Sequence, residues 1–412
     1  MSPKCLFLAT VFILFASAAR AQLTNETPLS QPQYGPAPND QTNPVVASDG
    51  TNFLVAWIDY RGPASIYANR VTATGEVLDG TGIRIPTNPE DPASQPGKLM
   101  GMFHIDGAYT LIYKTFDLSS PPPFPPTTQA VIISDDGQVL DGPRQVLDHA
   151  VNLVASNGKR IVIVNGSDLF VLNGRAEVIN RLHWTAVPGG YGATLASNGS
   201  TFLFATFAAG GPSDSVNLIA FDADGQTINA TSVKGGGIGE APIVQSDGAD
   251  YLVLYVDLPS GSVVQSVTAN ATIRSTSARF LPQSINFAAL SWTGLKYLLV
   301  SPTLDDKQQM AVMGLDRNGS MVGSGQSLEA DKSPAASNPA IAENRAGDSL
   351  VAWTSGSYED PNGFEIHAAL VDANGAPRSS AVTVPKASNA QALPVIATGG
   401  VYDLAVWVEA SG

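Results

Sequence analysis

Five acidic residues share one relation to an aromatic. Asp59 follows Trp57, Asp117 follows Tyr113, Asp257 follows Tyr255, Glu359 follows Trp353 and Glu409 follows Trp407, each beyond a short apolar run. Carboxylates gathered on one face raise the local negative potential and draw a cation or a basic partner. With aromatic edges beside them they also suit a sugar. At Asp59, Asp257 and Glu409 the offset from the aromatic is two residues, and along a strand that offset sends side chains the same way. These five acids are the candidate ligand-binding residues. The competing reading is solvation, because loops after strands collect charge as well as function.

Other chemistries find less support. Gly347-Asp348-Ser349-Leu350 spells a serine-esterase signature, but that chemistry needs a histidine to take the serine proton. The only later histidine is His367. Asp222-Ala223-Asp224-Gly225 offers two carboxylates without the closing acid that a calcium loop requires, and turn chemistry accounts for it. The four histidines, at 104, 149, 183 and 367, lie far apart, and none forms a metal-ligand pair at helical or hairpin spacing. Arg61, Arg70 and Arg84 fall within one unit, so the arginine cluster of a sialidase-like enzyme is not apparent. No catalytic residue, metal site or cofactor is expected.

The composition narrows the setting. The chain has 412 residues, 44% of them hydrophobic and only 14% charged, with a formal net charge of −14. A disordered polyelectrolyte needs more charge and fewer apolar residues. The acid excess disfavours a grip on nucleic acid through its phosphate backbone. Lys4, an apolar run over 5–16 and Ala19-Arg20-Ala21 read as a signal peptide over 1–21, cut between Ala21 and Gln22. The only cysteine, Cys5, leaves with it. No later stretch is long and apolar enough to span a membrane as a helix. A secreted or periplasmic chain, monomeric and without disulfides, is expected, with residues 22–412 as a single domain.

The elements that must position the acids are repeated. In residues 44–57, PVVASDGTNFLVAW, a polar Asp49-Gly50 turn joins two apolar runs. Related segments turn at Gly107, Gly158, Gly199, Gly248, Gly294, Gly347 and Gly399, at spacings of 41 to 57 residues. Later in each unit a second turn recurs, as Asp222-Ala223-Asp224-Gly225, Asp316-Arg317-Asn318-Gly319 and Asp372-Ala373-Asn374-Gly375. Gly and Asn accept the positive φ that hairpin loops need. Each unit therefore reads as a meander of four short antiparallel strands. A sheet that small cannot bury both faces alone, and a ring of such sheets solves that. The units resemble the VASDG-x-x-LVxW repeats of secreted bacterial β-propeller proteins, most of which have no assigned function. The resemblance covers about residues 23 to 412 and implies an all-β propeller of four-stranded blades. Counting first strands predicts eight blades, the last completed by residues 23–30 joining the C-terminal strands; seven is the alternative.

For function, the scaffold with variable loops and no catalytic constellation predicts an exported, non-enzymatic binding module for a protein or glycan ligand. The alternative is a hydrolase or lyase acting on a polysaccharide with acids from neighbouring blades.

Overall fold

The structure, a computed structural model, describes residues 40–87, 94–117, 126–151, 153–184, 191–208, 215–235, 241–257, 261–274, 278–279, 288–303, 309–329, 336–344, 347–356, 363–378, 380–383 and 391–409. The expected leader at 1–21 and the segment 23–30 lie outside them, as does Glu359.

Every described element is a strand, and all the pairings are antiparallel between neighbours in sequence, with one exception at the closure. Blade one shows the plan: Gln41–Ser48, Phe53–Asp59, Ser65–Val71 and Ile83–Ile85, side by side in that order. Six further four-stranded sheets follow, over 94–147, 153–183, 191–234, 243–279, 289–327 and 337–383. The chain is a β-propeller, with seven such blades among the described residues. The expectation of eight is corrected here. Among the described residues, the strands Gln391–Thr398 and Asp403–Glu409 build no separate four-stranded sheet; Glu409 pairs with Gln41 and joins them to blade one as a six-stranded sheet. The other flank of this C-terminal pair packs on blade seven, where Trp407, Ala405 and Ile396 meet Leu350, Ala352 and Ile366.

The first hairpins show why these residues turn where they do. In blade one the Ser48 hydroxyl accepts the Gly50 N–H at 2.9 Å and donates to the Asn52 carbonyl at 2.8 Å. Asp49 Oδ1 accepts the N–H groups of both Thr51 and Asn52 at 2.7 Å. The same two-side-chain lock holds the turns at Ser156-Asn157-Gly158, Ser197-Asn198-Gly199 and Ser246-Asp247-Gly248. Short polar side chains compete well for backbone donors in such tight loops.

The later turns do a second job. Gly225 has φ +86°, and a Cβ there would stand 2.7 to 2.9 Å from Leu182, Leu169 and Val171 of blade three. Gly137, Gly319 and Gly375 likewise rest on side chains of blades one, five and six. These four turns thus dock on strands of the preceding blade, close enough to crowd any added side chain. Backbone carbonyls in these turns also accept hydrogen bonds from the blade before: Thr201 Oγ1 donates to Ala269 at 3.3 Å, and Thr293 Oγ1 to Ala373 at 3.2 Å.

Burial grades outward. Second strands are apolar on both faces and buried almost throughout, as in Phe53–Asp59 and Asp348–Gly356. Outer strands such as Met321–Ser327 are exposed along their length. The core is therefore a set of slabs between adjacent blades, for example Leu54, Ala56 and Ile58 of blade one against Leu111, Tyr113 and Val131 of blade two. The aromatics near the ends of second strands all lie in these slabs, each facing the preceding strand group: Trp57 the C-terminal pair, Tyr113 blade one, Tyr255 blade four, Trp353 blade six and Trp407 blade seven.

Candidate functional site

Because first strands run away from it and second strands return, one face of the ring collects the ends of all second strands. Asp59, Asp117, Asp257 and Glu409 end their strands there. Asp257 is partly exposed, opposite Gly261 at the start of the third strand. Gly235, at the end of blade four's outer strand, lies against it: a Cβ on that glycine would stand 3.2 Å from the Asp257 Cβ and 2.7 Å from the Tyr255 ring.

Asp59 departs from the expected open rim. It is 1% exposed. Its position two residues past Trp57 turns it toward the same side as the indole, and that side is the slab against the C-terminal pair. The Trp57 indole N–H donates to Asp59 Oδ2 at 3.1 Å. The Arg61 Nε donates to both carboxylate oxygens at 2.9 Å, and the Arg61 backbone N–H to Oδ1 at 2.9 Å. The Arg61 guanidinium then lies 4.4 Å above the Tyr67 ring, which stacks on Trp57 with centroids 6.3 Å apart. A buried carboxylate with that many donors is a clamp for Arg61, not a free ligand for a cation.

Spacing alone did not mark a second polar set, between blades six and seven. Glu329 stands just past the outer strand Met321–Ser327 of blade six. Its Oε1 accepts the Trp353 indole N–H at 3.1 Å, and Oε2 accepts the Met310 backbone N–H at 3.3 Å. His367 Nδ1 is 3.4 Å from Glu329 Oε1, while Nε2 lies 4.0 Å from Glu365 Oε2. Trp353 and His367 are directly opposed across strands, so the blade places the histidine and the edge of blade six supplies the buried acid. Glu329 and His367 are 38 residues apart on different blades, and no local signal could have joined them.

The remaining motifs resolve into structure. Ser349 of the esterase-like signature is fully buried in a second strand and opposes Val371, four residues from His367 along the partner strand. Asp222 Oδ1 accepts the amides of Asp224 and Gln226 at 2.9 Å each, which is the work of a turn. At the opposite face, Asn344 Nδ2 donates to Asp403 Oδ2 at 3.0 Å and links blade seven to the C-terminal pair. Burial, against the help of that bond and with Glu343 and Asp348 nearby, pushes the Asp403 carboxyl up to about 6. Among the described residues, no group of three or more His, Cys, Asp or Glu is arranged to hold a metal ion, and no helix is long and apolar enough to cross a membrane.

No protein-family model matches the sequence, and no curated protein matches it. Solved structures with a similar chain path are of low identity. The β-propeller domain of the trilobed protease from Pyrococcus furiosus is 7% identical with a TM-score of 0.49, over 84% of this chain and 98% of that one. A 6-phosphogluconolactonase-like structure from Bacteroides fragilis is 15% identical with a TM-score of 0.46, over 82% and 96%. The dipeptidyl peptidase 4 of Porphyromonas gingivalis is 12% identical with a TM-score of 0.48, over 89% of this chain and 56% of that one. Likeness at this level concerns fold and carries no activity to this chain.

Proposed function

We propose that the chain is an exported binding module without catalytic activity, which presents the second-strand face of its propeller to a protein or glycan ligand. The observation that supports this reading most is the convergence of strand ends Asp117, Asp257 and Glu409 from separate blades on one face of a scaffold whose core lies between the blades. Loops on a rigid frame are where binding residues collect. The module acts as a secreted or periplasmic monomer. Changing Asp117, Asp257 and Glu409 together to Asn, Asn and Gln removes charge at this face and leaves the slabs intact. Binding to a glycan or basic-protein array should then fall while the denaturation midpoint holds. Retained binding would move the site off this face.

The second reading, a polysaccharide-acting hydrolase or lyase, draws on Glu329, His367 and Glu365, which put a histidine between two carboxylates. Time-dependent release of sugar ends from an array of polysaccharides, abolished by His367→Ala, would favour it over the binding module.

A further inference from the structure

Blade two sets two lysines side by side near the second-strand face. Its first two strands, Ser94–Ile105 and Ala108–Asp117, pair Pro96 with Thr115 and then Lys98 with Lys114. Gly97 is the extra residue of a β-bulge, and without it Lys98 would fall out of line with Lys114. Directly opposed residues stand on the same face of a sheet. Lys114 lies two residues beyond Ile112, which packs in the slab against blade three, so both lysines are aimed at the blade-three side. Lys98 is exposed and Lys114 half-buried. Thr128, next in the row, is fully buried and donates to the His149 carbonyl at 2.7 Å.

Arginines of this chain are held by aspartates, as Arg70 by Asp79, Arg274 by Asp250 and Arg378 by Asp348. Among the described residues no carboxylate pairs with Lys98 or Lys114. Of the acids between blades two and three on this face, Asp148 is committed to His149 at 2.7 Å, and Asp168 to His183 at 3.0 Å and Arg181 at 3.5 Å. Burial, and after it the charge of Lys98, lowers the pKa of the Lys114 ammonium from its ordinary value. Like charges directly opposed across strands are destabilising. An anion held between them turns that repulsion into attraction.

We propose that Lys98 and Lys114 hold the phosphate group of a small ligand, at the second-strand end of the slab between blades two and three. The inference goes beyond the proposed binding function and does not rest on it. Charge and shape select the class. Two ammonium groups balance a phosphate of about −1.5 to −2 at pH 7, where a carboxylate balances only one. Each lysine is a point charge with three rotatable donors, which suits a tetrahedral oxyanion; a planar carboxylate is better matched by the fork of an arginine. The net charge of −14 opposes a densely charged polyanion such as nucleic acid, so a single phosphate group fits where a nucleic-acid backbone does not.

Isothermal titration calorimetry on the full chain, at constant ionic strength, tests this with inorganic phosphate, glycerol phosphate and acetate. Inorganic phosphate or the ester should bind at one site, and the tighter of the two names the source as the free ion or a phosphorylated molecule. Acetate should bind at least about tenfold more weakly, having lost a charge-assisted bond. Lys98→Gln and Lys114→Gln should each lower phosphate affinity roughly 10- to 100-fold, the range for hydrogen bonds to charged groups. Lys98→Arg, which keeps the charge, should retain most of the affinity. Without phosphate, Lys98→Gln should melt no lower than the parent, because it removes a repulsion from an exposed position. Bound phosphate should raise the melting temperature of the parent and leave the Gln variants where they are. An equal rise in parent and variants would show phosphate acting as a stabilising salt and overturn the site. So would acetate binding as tight as phosphate, unchanged affinity in both Gln variants, or no saturable binding of either phosphate probe. If a glycan or a protein binds in that case, the binding-module reading survives without it.

Discussion

Replacing Trp353 tests the slab architecture at the largest fully buried side chain among the described residues. The side chain is fully buried and packs in the slab that also holds Leu298, Val300 and Val312 of blade six. A side chain of this size removes about 150–250 Å² from water. At about 25 cal/mol per Å² that amounts to roughly 4–6 kcal/mol, close to the ~3–5 kcal/mol observed for burying and then deleting large aromatics. The indole also donates to Glu329, and stripping a donor from a buried acid costs roughly 1–3 kcal/mol more. Trp353→Ala should therefore lose both contributions. Trp353→Phe keeps one aromatic ring in the slab and loses the N–H together with part of the indole, so a loss smaller than that of Trp353→Ala, with about 1–3 kcal/mol of it from the bond, is expected. Urea denaturation followed by circular dichroism measures both. A midpoint unchanged in Trp353→Ala would show that the aromatic does not hold blades six and seven together. Equal losses in the two variants would assign the whole effect to the bond with Glu329 and refute the packing argument.

Further outcomes follow from the turns and the closure. Gly225→Ala must accept both φ +86° and contacts of 2.7 to 2.9 Å with blade three, for a cost of about 2–4 kcal/mol from left-handed strain and overpacking. Gly158→Ala, with φ +82° and nothing within 4 Å, should lose only the strain, about 1–2 kcal/mol; identical melting temperatures for the two would mean that docking of the late turn carries no weight. Asp403 has its folded value raised to about 6, against roughly 3.9 when unfolded. Its contribution to stability is present below the unfolded value and is lost as pH rises through 6. Urea midpoints taken from pH 4.5 to 7.5 should show that decline in the parent and a flatter profile in Asp403→Asn; the same slope in both would place the titrating group elsewhere.

What the sequence showed depended on the range of the interactions. The hairpins were legible because Ser48, Asp49 and Gly50 lock their turn through partners within four residues. Blade number was not, since the pairing of Gln41 with Glu409 joins opposite ends of the chain and no local pattern encodes it. Alternation also misled at Asp59. The offset from Trp57 correctly aimed the acid, but the side it aimed at was a slab between blades, where the indole N–H and Arg61 were waiting. Arg61 looked unremarkable as one of three arginines in a unit; only the clamp gives it a fixed plane. Glu329 carried no signal, because its partners Trp353 and His367 belong to the next blade.

The late turns give the propeller a direction of assembly. Those at Gly137, Gly225, Gly319 and Gly375 settle on strands that precede them in the chain, and most end-of-strand aromatics look back the same way. A chain emerging from its N-terminus meets its platform already made at nearly every step, so blades can be added in the order in which they are synthesised. Blade one is the exception, since Trp57 looks toward strands that come last. Until Gln391–Thr398 and Asp403–Glu409 arrive, that indole and the apolar slab beneath it stay open to water. The interval before closure is then the period in which the unfinished ring is most exposed to chaperones, proteases and other copies of itself, and its length is set by the synthesis of blades two to seven.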